Sequence, residues 1–329
     1  MEEEQEEWES ELAENLRILH ETRGGNAACL IIDGTKARQC HNKVLISGGG
    51  RVENLRETEI YNVLDSSSRK GPLNRSKRED HASVTLPNGD VALFGGYDNK
   101  KTLSSCEVFN VKKATFSFVG NMNGPRERFA AVLLCHGVVL LIGGGDGHGI
   151  SNSCEFYDPI TTRCSLSKAE MNGQRMEHAA ALLHDGRVLV CGGWRNGINN
   201  LLKTTEIYDP STDSFSDGPS MIKARCYHTA TTLVDGRVIV CGGENTVVSN
   251  STEIYDPTTN SFTSGPTMVV ARIHHFSALL RDGRVLIGGG YVSGYGNSKS
   301  TEIYDPDTNS FTRGVDLLTQ RYRASAALF

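Results

Sequence analysis

The segment VIVCGGE at residues 238–244 runs from four apolar residues into two glycines, and the chain repeats this pattern five more times. The other copies are VLISGGG (44–50), VALFGGY (91–97), VLLIGGG (139–145), VLVCGGW (188–194) and VLIGGGY (285–291). The second glycines of the pairs are Gly49, Gly96, Gly144, Gly193, Gly243 and Gly290. Their separations are 47, 48, 49, 50 and 47 residues, a period that is typical of a repeat protein.

The repeat around this segment, residues 225–265, predicts four strands. The predicted strands are His228–Leu233, Val238–Cys241, Thr252–Tyr255 and Asn260–Thr263. Between the first two, Asp235-Gly236 predicts a two-residue hairpin turn with left-handed backbone angles. The repeat is therefore interpreted as an antiparallel meander whose second strand ends at the glycine pair. We expect glycine there because a side chain would crowd a neighbouring backbone.

A four-stranded sheet cannot bury both of its faces alone, so the repeats must pack face to face. Closing them into a ring also protects the edges of the sheets. We therefore predict an all-β fold, a six-bladed β-propeller of four-stranded antiparallel blades. Within it, the six glycine pairs have a structural role, one pair for each blade.

The order and spacing of the glycine pair, the polar loop and the aromatic residues in the repeat resemble those of the kelch family. Each glycine pair precedes a polar loop, a Tyr or Phe in the third strand, and a second aromatic residue about seven positions later. The best examples are Tyr208 with Phe215, Tyr255 with Phe262, and Tyr304 with Phe311. DGRVLVCGG (185–193) followed by TEIYDPSTDSF (205–215) is similar to the kelch form also found in galactose oxidase. The resemblance covers residues 23–329 and implies a kelch propeller.

Residues 1–22 predict a separate segment, an acidic amphipathic α-helix that precedes the propeller. Trp8, Leu12, Leu16 and Leu19 fall on one face of this helix, and Gly24-Gly25 would end it. At the other terminus, RYRASAALF (321–329) matches a first strand, as RGGNAACLI (23–31) also does. We predict six blades in which the C-terminal strand pairs with the first blade. The alternative is a truncated seventh blade.

Two charged residues recur at equivalent positions of the repeats, and we call each set a column. Both columns are interpreted as structural, because a residue that every blade contains serves the packing that all blades share. The glutamates of the third strand are Glu59, Glu107, Glu155, Glu206, Glu253 and Glu302. The arginines three residues before each first strand are Arg23, Arg78, Arg126, Arg175, Arg225, Arg272 and Arg321. One arginine and one glutamate in each blade predict a repeated, partly buried ion pair.

Histidines begin four of the first strands, at His81, His178, His228 and His275. A histidine that fills a repeated slot with a hydrogen bond explains them better than metal ligation does, so we expect neither a metal nor a cofactor. The kelch resemblance places these strand starts near the mouth of the central channel. His178, His228 and His275 are therefore candidates for contact with a partner, together with two arginines beside the repeated column, Arg128 and Arg323.

The loops after the glycine pairs vary most in sequence and emerge on one face of a propeller. They contain Trp194, Arg195, Tyr291 and Tyr295, residue types that are enriched at binding hot spots. These four residues complete the predicted partner-binding set.

Composition limits the class of partner. The first 14 residues hold eight glutamates, so the remaining chain has 34 basic against 31 acidic residues, a net charge of +3. A nearly neutral body argues against nonspecific nucleic-acid binding. No stretch approaches the roughly 18 apolar residues of a membrane span, and the N-terminus is acidic where a secretory signal is basic. The nine cysteines form no CxxC pair, which favours reduced buried thiols. We expect a cytoplasmic monomer that binds neither nucleic acid nor membranes.

The sequence therefore predicts a non-catalytic interaction module that binds a protein or peptide on one propeller face. Arg128 and Arg323 at the channel mouth favour an acidic partner segment. The alternative is a kelch-type enzyme, copper oxidase-like or sugar-modifying, with its active site at the same channel mouth. No copper ligand of galactose oxidase can be assigned residue by residue to this chain, so the prediction names no catalytic residue.

Overall fold

The computed structural model describes residues 43–49, 56–65, 67–196, 200–245 and 247–329. These residues form six four-stranded antiparallel sheets and two short two-stranded ones. The described ranges contain no helix, and hence none long and apolar enough to cross a membrane. The helix predicted at residues 1–22 and the arginine at position 23 lie outside the described residues.

Each blade is a meander that runs outward from the centre of the ring, and the bounds of its strands follow the repeat. The first blade contains β1 (Lys43–Ser47), β2 (Thr58–Asn62) and β3 (Ser67–Lys70). The second contains β4 (Ala82–Thr85), β5 (Val91–Phe94), β6 (Ser105–Asn110) and β7 (Thr115–Asn121). The third contains β8 (Ala130–Leu133), β9 (Val139–Ile142), β10 (Ser153–Asp158) and β11 (Arg163–Glu170).

The remaining blades repeat the same order. The fourth contains β12 (Ala179–Leu182), β13 (Val188–Cys191), β14 (Thr205–Asp209) and β15 (Ser214–Asp217). The fifth contains β16 (Thr229–Thr232), β17 (Val238–Cys241), β20 (Thr252–Asp256) and β21 (Ser261–Ser264), with β18 (Glu244–Asn245) and β19 (Val247–Val248) in its loop. The sixth contains β22 (Phe276–Leu279), β23 (Val285–Gly288), β26 (Thr301–Asp305) and β27 (Ser310–Arg313), with β24 (Tyr291–Val292) and β25 (Gly296–Asn297) in its loop.

The last strand, β28 (Ser325–Leu328), completes the first blade and closes the ring. It pairs antiparallel with β1, and Val44 lies opposite Leu328. The inner strands β4, β8, β12, β16, β22 and β28 each contact the next around a closed circle. The predicted six-bladed propeller and its closure by the C-terminal strand are therefore confirmed.

The core lies between neighbouring blades, because the second strand of each blade is buried on both faces. Along β13 all four residues, from Val188 to Cys191, have no exposed area. Successive side chains of a strand point to opposite faces, so each strand supplies two interfaces. Leu189 and Cys191 pack with Val238 and Val240 of the next blade, for example.

The glycine pair is required by close approach between backbones. Gly192 has a φ of +63°, and a Cβ atom added there would lie 2.6 Å from the carbonyl oxygen of Arg225 in the next blade. The same atom would lie 2.7 Å from Cε1 of His228. A side chain here would thus strain the backbone and push the blades apart.

The hairpin turns differ from the predicted type. In the fifth blade Gly236 has a φ of +88°, whereas Asp235 keeps a negative φ. The Gly236 N–H donates to Leu233 O at 3.0 Å, and the Leu233 N–H donates to Arg237 O at 2.7 Å. This pattern is a longer loop in which only the glycine is left-handed, so the prediction of two left-handed residues was wrong.

The structure contains the ion pairs that the two charged columns predict. In the fourth blade Arg175 Nη2 lies 2.7 Å from Glu206 Oε1, with both side chains buried. The guanidinium also donates to Gly192 O at 2.9 Å, and the glutamate accepts the Asn172 N–H at 2.6 Å. The other pairs are Arg78–Glu107 (2.9 Å), Arg126–Glu155 (3.0 Å), Arg225–Glu253 (3.0 Å), Arg272–Glu302 (2.7 Å) and Arg321–Glu59 (3.7 Å). Each pair ties the entry of the inner strand to the third strand of its own blade.

Candidate functional site

Two residues after each of the six column arginines that the structure describes, one residue of every blade lies at the mouth of the central channel. We call these six residues the axial ring, and its members are Asp80, Arg128, Glu177, Tyr227, His274 and Arg323. All six have a left-handed backbone, with φ between 52° and 60°. Non-glycine residues adopt this conformation infrequently, and a strained position that recurs in every blade indicates a geometry imposed by the surrounding fold.

The backbone of the axial ring forms a closed circuit of hydrogen bonds. Each N–H donates to the carbonyl oxygen of the ring residue in the preceding blade, from Arg128 to Asp80 at 2.9 Å and from Asp80 to Arg323 at 3.2 Å. The remaining bonds are Glu177 to Arg128 (2.9 Å), Tyr227 to Glu177 (3.1 Å), His274 to Tyr227 (3.1 Å) and Arg323 to His274 (3.1 Å). This circuit holds six side chains of five residue types in equivalent positions around one axis.

The two arginines of the ring are paired with carboxylates. Arg128 Nε lies 3.2 Å from Asp80 Oδ2 and 3.1 Å from Glu177 Oε1, so it bridges its two ring neighbours. Arg323 Nη1 lies 3.3 Å from Asp80 Oδ2 and 3.5 Å from Glu79 Oε1. These contacts run between blades, whereas the column ion pairs lie within a blade.

Alternate members of the ring bring three potential metal ligands together. The side chains of Asp80, Glu177 and His274 are only 4, 8 and 5% exposed. His274 Nδ1 lies 3.9 Å from both Asp80 Oδ1 and Glu177 Oε2. Burial raises the pKa of Asp80 and, reinforced by the charge of Asp80, holds the pKa of Glu177 well above 4.5. Burial and the two arginines hold the pKa of His274 well below 6.5, so its imidazole is neutral.

Aromatic rings support the histidine. The Tyr227 ring lies 4.0 Å from the His274 ring, centroid to centroid, and the Tyr322 ring lies 4.8 Å from it on an edge. The Arg323 guanidinium in turn lies 5.0 Å from the centre of the Tyr322 ring. The imidazole is thus held by packing rather than by a close hydrogen bond to either carboxylate, and Nδ1 faces both carboxylates.

The predicted anchors of the loops lie on the same face as the axial ring. Trp194 forms a backbone bridge with Met176, the residue before Glu177, and Tyr291 forms one with Ile273, the residue before His274. Trp194 is half-buried and Arg195 is exposed. Tyr291 is 38% exposed, and Tyr295, at the tip of the β24–β25 hairpin, is 88% exposed. We call this surface the ring face.

The predicted histidines lie one residue beyond the axial ring, and they are buried. Burial lowers the pKa of His178, His228 and His275 to about 3. His228 Nε2 lies 3.5 Å from Cys191 Sγ, and His275 Nε2 lies 3.1 Å from Thr229 Oγ1. These positions lie behind the ring and against the neighbouring blade, and contact of the three histidines with a partner stays a prediction.

Sequence reasoning selected only Arg128 and Arg323 from the ring and missed Asp80, Glu177, Tyr227 and His274. A signal was present, because all six lie two residues after a column arginine. A position at a fixed distance from the repeated arginine, with a residue type that changes from blade to blade, is one where the fold holds the backbone while the side chain varies. The missed residues are separated in the chain, and only the closed ring brings them together.

Together these features define a six-bladed β-propeller with a charged ring at one end of its axis. The chain matches a family model described as the KLHDC2/KLHL20/DRC7 Kelch-repeats domain over residues 34–243, which is more than half of its length. Residues 225–269 also match the Kelch motif. The protein therefore belongs to the kelch-repeat family. A comparison with curated proteins finds no match.

Proposed function

We propose that this propeller is a protein-interaction module whose partner binds the ring face. The observation that supports this proposal is the axial ring itself, where one backbone conformation recurs in six blades while the side chain varies among five residue types. Packing alone explains the repeated columns but does not explain this variety. Kelch propellers commonly act as protein-interaction modules, which agrees with the proposal.

Aromatic anchors supply the binding energy in this proposal. Trp194 and Tyr291 are partly exposed beside the ring, and each is fixed by a backbone bridge to the residue before a ring member. Tyrosine and tryptophan provide large contact areas at low cost in conformational entropy. Tyr295 extends this surface outward on a short hairpin. A partner segment that lies across the sixth and fourth blades would contact all three rings.

The charge of the partner is a separate question. An acidic partner was predicted because Arg128 and Arg323 were expected to be surplus basic groups. Both guanidiniums contact carboxylates of the ring or its flank, so an acidic segment would have to compete with Asp80 and Glu79 for them. We therefore assign the main affinity to the aromatic anchors, and salt dependence tests the electrostatic contribution.

The experiment is affinity purification from a native extract with the double variant Trp194→Ala/Tyr291→Ala. Hot-spot residues contribute at least about 2 kcal/mol each, so specific partners should be recovered at least about tenfold less well. The melting temperature should stay close to that of the wild type, because both side chains are partly exposed. Recovery that falls as salt rises would support an acidic partner segment.

The matched control is Ile160→Ala/Leu166→Ala, which removes two exposed apolar side chains from the outer hairpin of the third blade. This control should recover the partners of the wild type. Unchanged recovery by the Trp194→Ala/Tyr291→Ala variant would overturn the proposal. Loss of the same partners by the control variant would instead place the binding surface on the outer edge of the propeller.

A further inference from the structure

The inward side chains of the axial ring are arranged as a set of metal ligands. One ligand atom from each of Asp80, Glu177 and His274 lies within 4.8 Å of the other two. A cation at the centre of a triangle with two 3.9 Å sides and a third of at most 4.8 Å is about 2 to 2.5 Å from each corner, which spans zinc–nitrogen and zinc–oxygen bond lengths. The three residues come from alternate blades, so they surround the axis.

The carboxylates divide their oxygens between two tasks. Arg128 contacts Asp80 Oδ2 and Glu177 Oε1, which leaves Oδ1 and Oε2 to face His274. A charged group that holds the outer oxygen of a ligand orients the inner one, as partners of metal ligands do in known sites. Arg323 also contacts Asp80 through Oδ2. The closest contacts of both guanidiniums are therefore with the carboxylate oxygens that point away from the histidine.

The cluster also lacks compensation for its negative charge. Among the residues that the structure describes, the four carboxylates of Asp80, Glu177, Glu79 and Glu127 pair with two guanidiniums, those of Arg128 and Arg323. The net charge of these six groups is −2 when all are ionised. Glu177 Oε1 is buried, and its 3.1 Å contact with Arg128 Nε is an ion pair without hydrogen-bond geometry.

We propose that Asp80, Glu177 and His274 bind one divalent transition-metal ion at the mouth of the propeller channel. Two carboxylate oxygens and one imidazole nitrogen suit zinc, manganese and iron(II) better than magnesium or calcium, which prefer oxygen ligands alone. A bound ion of charge +2 would neutralise the cluster. This site replaces the expectation of no metal, which concerned the histidines of the inner strands. It is independent of the proposed interaction function, because metal binding is measured without a partner.

The test is calorimetric titration of the chelator-stripped, reduced full chain with zinc. We expect one equivalent to bind, with an affinity that falls at least about tenfold in Glu177→Gln, which removes an anionic ligand, and in His274→Gln, which removes the imidazole. The matched control is Glu127→Gln, which removes the same charge from a carboxylate beside the ring. Glu127 Oε1 lies 4.0 Å from Arg128 Nε but is not one of the three ligands, so its loss should change the affinity less than about threefold.

Cobalt(II) provides a second measurement that depends on no variant. The wild-type chain should show the visible bands of cobalt with nitrogen and oxygen ligands, without the near-ultraviolet charge transfer of a cobalt thiolate. Thiolate absorption would assign the metal to the cysteines and overturn the proposal. Absence of saturable binding would overturn it too, as would an equal loss of affinity in Glu127→Gln. If a ligand variant fails to fold, the wild-type cobalt spectrum decides.

Discussion

The column ion pairs and the axial ring are only two residues apart in the chain, yet they differ in almost every property that matters for function. The column repeats the same arginine and glutamate in six blades, and each pair is satisfied within its own blade. The ring repeats only the backbone, and its ion pairs connect neighbouring blades.

This difference shows that a propeller can repeat a backbone conformation in every blade without repeating the side chain. The column arginine must reach carbonyl groups at fixed positions, such as Gly192 O and Thr204 O for Arg175, so no other residue type can replace it. A ring residue contributes to the backbone circuit through its N–H and carbonyl groups alone. The fold therefore does not prescribe the residue type of its side chain.

The largest effect should follow from breaking a column pair. Glu206→Ala leaves Arg175 buried and without its carboxylate, so we expect a loss of about 3 kcal/mol in the free energy of unfolding. Asp235→Ala removes the partner of Arg237 from an exposed pair and should cost less than about 1 kcal/mol. Urea denaturation of both variants measures the difference. Equal, small losses would show that the column pair contributes little to stability.

Acid should act through the inner-strand histidines with an effect of intermediate size. Burial lowers the pKa of His275 from an ordinary 6.5 to about 3, so the folded state disfavours its protonation. This histidine is neutral and harmless above pH 6.5, and stability is lost as the pH falls from 6.5 toward 3. Between pH 7 and 5 the loss is about 2 kcal/mol for one such group.

The variant that isolates this contribution is His275→Gln, which cannot titrate. Its free energy of unfolding should fall by about 2 kcal/mol less than that of the wild type between pH 7 and 5. Comparing slopes against pH removes the constant packing cost of the substitution. Parallel pH profiles for the two proteins would contradict a buried neutral histidine at this position.

The smallest effect on stability should come from the ring. Without metal, Glu177→Gln leaves Arg128 paired with Asp80, so no buried charge loses its partner and we expect a smaller loss at neutral pH than the about 3 kcal/mol of Glu206→Ala. The pKa of Glu177 is raised, so the wild type gains stability as the pH falls through that folded-state pKa, and the variant lacks this gain. Denaturation curves across acid pH test both points. A loss as large as that of Glu206→Ala would erase the distinction between ring and column.

Much of the fold could be predicted from the sequence because its signals are local. The predicted second strand Val238–Cys241 matches β17, and the predicted third strand is one residue shorter than β20. Glycine pairs and alternating apolar residues are set by interactions that every blade repeats. The hairpin turns were mispredicted because Asp-Gly suits more than one loop type, and the choice depends on the register of the flanking strands.

The candidate site could be predicted only in part. Trp194 and Tyr291 were selected because large aromatic residues in variable loops are conspicuous. Both lie beside the axial ring, and their contact with a partner stays a prediction. Asp80 and His274 were missed because neither is unusual in its own segment. Their proximity depends on closure of the ring by β28, which no local pattern describes.

By itself, the sequence determined the number of blades, the order of the strands and the residues that pair within each blade. These features follow from periodicity, because equivalent residues in each repeat meet equivalent neighbours. Only the tertiary structure decided which unlike residues meet across the axis. Asp80, Glu177 and His274 lie in alternate blades, far apart in the chain, and closure of the ring leaves their ligand atoms within 4.8 Å of one another. Closure brings these atoms so close because the left-handed residue before each of the six inner strands takes part in one circuit of backbone hydrogen bonds.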